Sequence, residues 1–162
     1  MCLGKSRKTK CLSMEYKDVQ LEHVQSYPYL GVEISANGSF KPAAKCMSTK
    51  AQKAIFKLKS LLAGACYRPT LCIRLFDQLI KPICVYGSEI WGIDEVKVDS
   101  PLKFARSSES FTAEKLNLSF SKFSLGVHKK AQNSAVRGEL GRMPLGADIA
   151  ANILCIILTL KC

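Results

Sequence analysis

The chain has 162 residues, which is long enough for one domain of ordinary size or for a domain with a tail. Its hydrophobic content of 48% and charged content of 23% are typical of globular proteins and exclude an intrinsically disordered chain. The formal net charge of +11 is patterned into two basic lobes around an acidic connector, which favours a polyanionic partner.

The N-terminal region, residues 1–40, is predicted to contribute short strands. Residues 29–34 are aromatic and β-branched enough for one strand, and Asn37-Gly38 supplies the turn chemistry after it. Pro28 precedes this strand and limits its ladder pairing. Three short strands cannot close a sheet of their own, so the region is interpreted as the edge of a larger one.

A long basic helix is predicted next, with Ser39 as its cap and Pro42 in its first turn. Its apolar stripe contains Met47, Ala51, Ala54, Ile55, Leu58, Leu61 and Leu62. Beside the stripe, Lys50, Lys53 and Lys57 form a cationic ridge, and further lysines lie on the opposite flank. Such a helix taken alone is better explained as a solvated basic face.

A second helix is predicted from Pro69, kinked at Pro82 and ended by Gly87. Two apolar stripes predict that it is sandwiched between neighbours. They contain Leu71, Leu75, Leu79 and Ile83 on one side, and Ile73, Phe76 and Ile80 on the other. Two nearby carboxylates, Asp77 and Glu89, are expected to pair with Arg74 or Lys81.

The C-terminal half is predicted to be an acidic loop followed by helices. Trp91 is interpreted as a core residue, residues 93–111 as the loop, and residues 112–162 as a helical segment beginning near Thr112. The apolar run at 149–160 is shorter than the roughly 20 residues that cross a bilayer. We therefore expect no membrane span, and we interpret this run as a buried helix or as the contact for a protein partner.

The eight cysteines do not predict disulfides or a metal site. No signal peptide is recognisable, no pair has the CxxC spacing, and neither histidine has a neighbouring cysteine. We accordingly expect free thiols, no bound metal, no cofactor, and a nuclear or cytoplasmic location.

Five strings follow one another along the chain: KTK at 8–10, YLGVEISANGSF at 29–40, KAIFKLKSLL at 53–62, LFDQLIKPICVYGSEIWG at 75–92 and KFSLGVHKKAQNSAVRGELGRMPL at 122–145. In their order and spacing they resemble the reverse transcriptase polyprotein of LINE-type (non-LTR) retrotransposons. The similarity covers most of the chain and matches the part of such a polymerase just downstream of its catalytic centre.

The resemblance implies a mainly α fold, a helical thumb-like bundle, with a small N-terminal β-hairpin at the edge of a palm sheet. Residues 1–40 would be the palm edge and residues 41–92 the basic thumb helices. Lys8 and Lys10 match the family's late-palm lysine motif near the incoming nucleotide's phosphates, and residues 29–31 match the primer-grip hairpin. A full-length member would use Mg²⁺.

Catalysis by this chain alone is not expected, because two-metal nucleotidyl transfer needs closely set carboxylates on a rigid element. The family's catalytic aspartate pair is absent, and Asp94-Glu95 in the acidic loop has no strand to present it. No glycine-rich phosphate loop or Ser-His-Asp set can be assembled either.

The sequence therefore predicts a non-catalytic fragment that grips a template–primer, RNA or DNA, through sequence-independent phosphate contacts. The predicted nucleic-acid-binding residues are Lys8, Lys10, Tyr29, Leu30, Gly31, Lys50, Lys53, Lys57, Lys129, Lys130, Arg137 and Arg142. A concave positive trough is expected between the hairpin and the helices. Two alternatives stay open: a small basic interaction protein, and a non-functional relic of a transposon reading frame.

Overall fold

Two small antiparallel hairpins precede a set of packed helices in the computed structural model, which describes residues 15–20, 22, 24–62, 68–95 and 111–159. Strand β1 (Glu15–Tyr16) pairs with β2 (Val19–Gln20), and β3 (Ser26–Tyr29) pairs with β4 (Val32–Ser35). The helices are α1 (Lys41–Leu62), α2 (Pro69–Leu75), a π segment (Phe76–Ile80), α3 (Lys81–Val85), α4 (Ser88–Glu95), α5 (Thr112–Ser124), α6 (Asn133–Leu140) and α7 (Leu145–Thr159). The predicted fold class, mainly α with a small N-terminal hairpin, is confirmed.

The single strand predicted over residues 29–34 is wrong, because the chain reverses direction at Leu30-Gly31. Both residues have positive φ, 47° and 81°. Two central residues of that kind form the tight turn whose twist matches the flanking strands. The Tyr86 hydroxyl donates a hydrogen bond to the Leu30 carbonyl at 2.9 Å and ties this turn to the helices. Pro28 lies within β3, opposite Glu33.

Helix α1 forms largely as predicted. The turn at residues 36–38 precedes it, Pro42 lies in its first turn, and the Lys41 N–H donates to Ser39 Oγ at 3.4 Å. Most of the predicted stripe faces the core. Leu61 is the exception at 80% exposure, because in the last turns of the helix only Leu58 and Leu62 face the core.

The second helical region is continuous from α2 to α3 and passes through the π segment before Pro82. Proline lacks an N–H and its ring crowds the carbonyl four residues earlier. A wider π turn relieves that crowding, and the Lys81 N–H accordingly donates to the Phe76 carbonyl five residues back. The fully buried stripe is spaced every four residues: Cys72, Phe76, Ile80 and Cys84. The predicted second buried side forms only in part, because Leu75 and Ile83 pack partly buried against the core while Leu71 and Leu79 are more than half exposed.

Two apolar clusters form the core. The larger joins α1, the α2–α3 region and α5, and at its centre the rings of Phe76 and Phe120 stack with centroids 5.0 Å apart. The smaller packs Trp91 against Val32, Ala43 and Ile149. Trp91 is 4% exposed, which confirms its predicted core position, and its Nε1–H donates to the Tyr86 carbonyl at 2.9 Å.

Helix α4 ends at Glu95, so helical structure extends into the start of the predicted acidic loop. Residues 96–110 of that loop lie outside the described residues, and its last residue, Phe111, is buried. Helix α7 packs on α4 where Gly92 allows a close approach: a Cβ at Gly92 would lie 2.8 Å from the Ile149 side chain. Through this contact the first half of α7 belongs to the core.

The four cysteines that the structure describes are free thiols, and one of them makes stability depend on pH. Burial, with the nearby Glu114 charge as a second cause, raises the pKa of the Cys84 thiol from 9.0 to about 12. Between these values the unfolded chain binds fewer protons than the folded chain, so the free energy of unfolding falls as pH rises, by up to about 1.4 kcal/mol per pH unit. Urea unfolding at several pH values should show a shallower fall for Cys84→Ala than for the wild-type chain. Equal slopes would contradict this assignment.

Candidate nucleic-acid interface

The lysine ridge, defined as Lys50, Lys53 and Lys57, lies fully on the exposed side of α1. Helical spacing of three and four residues brings its members onto one side of the helix. Helix α1 contains six lysines and no acidic residue. Among the described residues, no ridge lysine takes part in an ion pair. The three ammonium groups are therefore positioned to meet phosphates in solution.

Phe56 is exposed on α1 beside the ridge and was not predicted from the sequence as a functional residue. Its side chain is 76% exposed, and it lies three residues from both Lys53 and Lys59, between the ridge and Lys59. Single exposed apolar residues are common on proteins. An exposed ring among lysines, however, is also the arrangement on which unpaired bases stack. The available sequence signal was its position outside the apolar stripe of an otherwise well-patterned helix.

A second cationic surface, the lysine pocket, lies on the opposite flank of α1. It is a cavity of about 680 Å³ between the end of α1, the exposed side of α5 and the turn that follows α5. Its lining consists of Lys59, Lys115, Leu118, Ser119, Lys122, Phe123, Gly126, Val127, Lys129 and Asn133. This surface contains one predicted residue, Lys129. Lys130 is exposed in the same turn, where its N–H donates to His128 Nδ1 at 3.2 Å.

The charges of the lysine pocket are close enough to affect one another. Burial and the charge of Lys129 lower the pKa of Lys59. The Lys59 ammonium lies 4.7 Å from the ring centroid of Phe123, and the Lys122 ammonium donates to the Lys129 carbonyl at 2.9 Å. Gly126, with φ of 67°, ends α5 and starts the turn that brings Lys129 back toward α1. The pocket is thus a concentrated positive site.

Arg137 and Arg142, both predicted to bind nucleic acid, are occupied by carboxylates of the same chain. Arg137 Nη2 lies 2.9 Å from Oε1 of Glu114, a residue with no solvent exposure. Arg142 forms an ion pair with Asp77, and its guanidinium lies over the Phe76 ring. These contacts give both arginines a structural role, and we leave them out of the proposed interface.

Asp77 and Lys81 also have partners other than those expected. Arg142 pairs with Asp77, and Asp148 pairs with Lys81 at 3.0 Å. The expected pairing of Asp77 with Arg74 or Lys81 is therefore wrong, because the fold brings α6 and α7 against the α2–α3 region and supplies nearer partners.

The described cavity between the hairpin and the helices lacks the positive charge expected there. The cavity there, about 320 Å³, has no lysine or arginine among its described lining residues and contains Glu89. Tyr29 and Leu30 line it, while Gly31 faces the Tyr86 ring at the hairpin turn. Lys8 and Lys10 lie outside the described residues. Within the part of the chain that the structure describes, the cationic surfaces lie on α1 and α5.

The described residues contain no group of three or more His, Cys, Asp or Glu side chains that could hold a metal ion. Asp77 and Glu114 are each held by an arginine. The described donors thus do not fit the Mg²⁺ that the resemblance implies for a full-length member. Within the same residues no single helix could span a membrane, although α6 and α7 together have the length and composition at a bend of 72°.

Comparison with known proteins finds no matching family model, no matching curated protein and no matching solved structure. The resemblance of the five sequence strings to LINE-type reverse transcriptases therefore stays a hypothesis.

Proposed function

We propose that the chain binds nucleic acid without regard to sequence, through phosphate contacts made by the lysine ridge of α1. In this proposal it is a thumb-like, non-catalytic part of a LINE-type reverse transcriptase. One observation carries the proposal: three exposed lysines share a side of a 22-residue helix that has no acidic residue. A polymerase must hold every sequence that it copies, and lysine contacts to phosphates have that property.

The chemistry of lysine supports backbone contacts in preference to base recognition. Each ammonium is a compact charge on a flexible stem, without the rigid fork that lets arginine read a guanine edge. Counterions released from the phosphates drive such binding, so affinity falls steeply as salt rises. Three contacts predict a slope of log K against log salt of about −2.7 on a B-form duplex.

Fluorescence anisotropy with two duplexes of unrelated sequence, each titrated at several salt concentrations, tests the proposal. The expected result is equal affinity for both duplexes and the stated slope. Absence of binding at low salt would remove this proposal and leave the basic interaction protein and the transposon relic. A strong preference for one sequence would also contradict it, because phosphates carry no direct sequence information.

Phe56→Ala is expected to weaken binding of single strands by about 1–3 kcal/mol while leaving duplex affinity unchanged. The exposed ring can stack on an unpaired base, whereas the bases of a duplex are already stacked on one another. Anisotropy with an oligonucleotide and with its duplex measures both. Leu61→Ala removes a similarly exposed apolar side chain from the same helix and serves as the control. A loss of equal size with both forms of nucleic acid would contradict stacking.

A protein partner at the end of α7 is a second candidate, favoured by one observation. Ile149 is buried in the smaller core cluster, but Leu154 and Leu158 are 58% and 65% exposed. A protein partner could therefore contact only the second half of the run at 149–160, and this contact stays a prediction. Because this surface has no charge, partner binding there would not follow the salt dependence of the ridge.

A further inference from the structure

We infer that the lysine pocket is a binding site for a compact polyphosphate group carried by a small molecule. This inference does not rest on the proposed function, because the pocket and the ridge share no residue. Four lysines line the pocket, and its described lining contains no carboxylate. A site of this composition presents several cationic donors to one cavity.

The donors are spaced for more than one phosphate. Lys115 and Lys122 are seven residues apart on one side of α5, which separates them by about 10.5 Å along the helix, with Ser119 between them. Lys122 uses one of its three N–H donors in the hydrogen bond to the Lys129 carbonyl, so the other two can bind a ligand. Lys59, near the end of α1, and Lys129, in the turn after α5, line the same cavity. A chain of phosphates can extend along the row from Lys115 to Lys122, whereas a single phosphate would occupy only part of it.

An anion would also relieve a repulsion that the fold imposes. The charge of Lys129 acts on Lys59, which burial already penalises, and together they lower its pKa. A bound phosphate opposes both effects, because it supplies the opposite charge beside the ammonium. The pocket is therefore more favourable with an anion than without one.

Size and position favour a small ligand over a duplex. The volume of about 680 Å³ falls within the usual range of roughly 300–1,000 Å³ for small-molecule sites. Lys59 lies about 120–180° around the α1 axis from the ridge lysines, so nucleic acid seated on the ridge leaves the pocket uncovered. Leu118, Phe123 and Val127 add an apolar wall for the organic part of such a ligand.

Calorimetric titration of the full chain with inorganic tripolyphosphate at about 0.15 M salt, where fields beyond roughly 8 Å are screened, tests the inference. The expected result is saturable 1:1 binding that weakens at least about tenfold in Lys115→Gln with Lys129→Gln. Both side chains are exposed, so this variant should remain folded. The matched control, Lys50→Gln with Lys53→Gln, removes the same charge from the ridge and should retain the affinity. Absence of saturable binding, or an equal loss in both variants, would overturn the inference.

Lysine acetylation of the wild-type chain, read by mass spectrometry, tests the same site without a substitution. Tripolyphosphate should slow acetylation of Lys115 and Lys129 several-fold and leave Lys50 and Lys53 unchanged. Uniform protection of all four lysines would show non-specific association with the basic surface and would refute a pocket site.

Discussion

Glu114→Ala is expected to destabilise the folded chain by about 3–5 kcal/mol, the usual cost of removing one partner from a buried ion pair. Glu114 has no solvent exposure, and its carboxylate accepts hydrogen bonds from Arg137 Nη2 at 2.9 Å and from the Leu145 N–H at 2.7 Å. The Asn117 amide lies slightly farther away, at 3.4 Å from Oε1. One carboxylate thus connects α5, α6 and the first turn of α7.

The loss follows from what the alanine leaves behind. Arg137 would keep a largely buried positive charge without this carboxylate, and the start of α7 would lose an acceptor for one of its N–H groups. Replacing both members, Glu114→Leu with Arg137→Met, should therefore cost less than Glu114→Ala alone. The double variant measures the net contribution of the ion pair to the free energy of unfolding. Glu114→Ala adds to this the penalty of leaving Arg137 without its carboxylate.

Urea unfolding followed by circular dichroism measures these differences through the transition midpoint. Glu139→Ala is the matched control, because Glu139 is an exposed carboxylate on α6 and its loss should change stability by no more than about 0.5 kcal/mol. A Glu114→Ala midpoint equal to that of Glu139→Ala would contradict the structural role of this ion pair.

The same pair shows what the sequence could not reveal. Arg137 belongs to a basic stretch, and its charge alone suggests a phosphate contact. Glu114 lies 23 residues earlier and in sequence is only an acid in the first turn of a helix. Their meeting depends on the angle at which α6 returns to α5, which no local pattern encodes. The same holds for Arg142, because its partner Asp77 is 65 residues away in the sequence.

Local chemistry, in contrast, could be predicted wherever one element determined its own structure. Pro42 at the start of α1 and Gly87 after the end of α3, with φ of 68°, follow from backbone preferences and were predicted correctly. The hairpin turn was misplaced because Leu30 adopts a positive φ that leucine rarely takes. The π segment was not predicted, because it depends on tertiary packing. Packing keeps the helix continuous through Pro82, and the helix accommodates the proline with a wider turn.

The candidate site was predictable only where it depends on a single helix. Exposure of the ridge follows from helical periodicity, because Lys50, Lys53 and Lys57 lie away from the apolar stripe of their own helix. The lysine pocket, in contrast, joins Lys59 to Lys115 and Lys129 across two elements and a turn. Lys129 was predicted for its charge, but its neighbours could be identified only in the fold.

Charge reversal of the ridge, Lys50→Glu with Lys53→Glu and Lys57→Glu, is expected to weaken duplex binding at least about a hundredfold at low salt. The loss should be the same for unrelated sequences, and the slope of log K against log salt should shrink by about 2.7. Because all three side chains are exposed, the helix should remain folded by circular dichroism, so the change reports binding alone.

A second triple variant, Lys17→Glu with Arg68→Glu and Arg74→Glu, separates the ridge from the general positive field of the chain. It reverses three exposed charges outside the ridge and lowers the net charge by the same amount. If α1 contacts the phosphates, this variant retains most of the duplex affinity and its salt slope. Equal losses in the two variants would assign binding to net charge, which raises association rates without fixing a site. Unchanged affinity in the ridge variant would make the ridge an ordinary solvated face of a core helix.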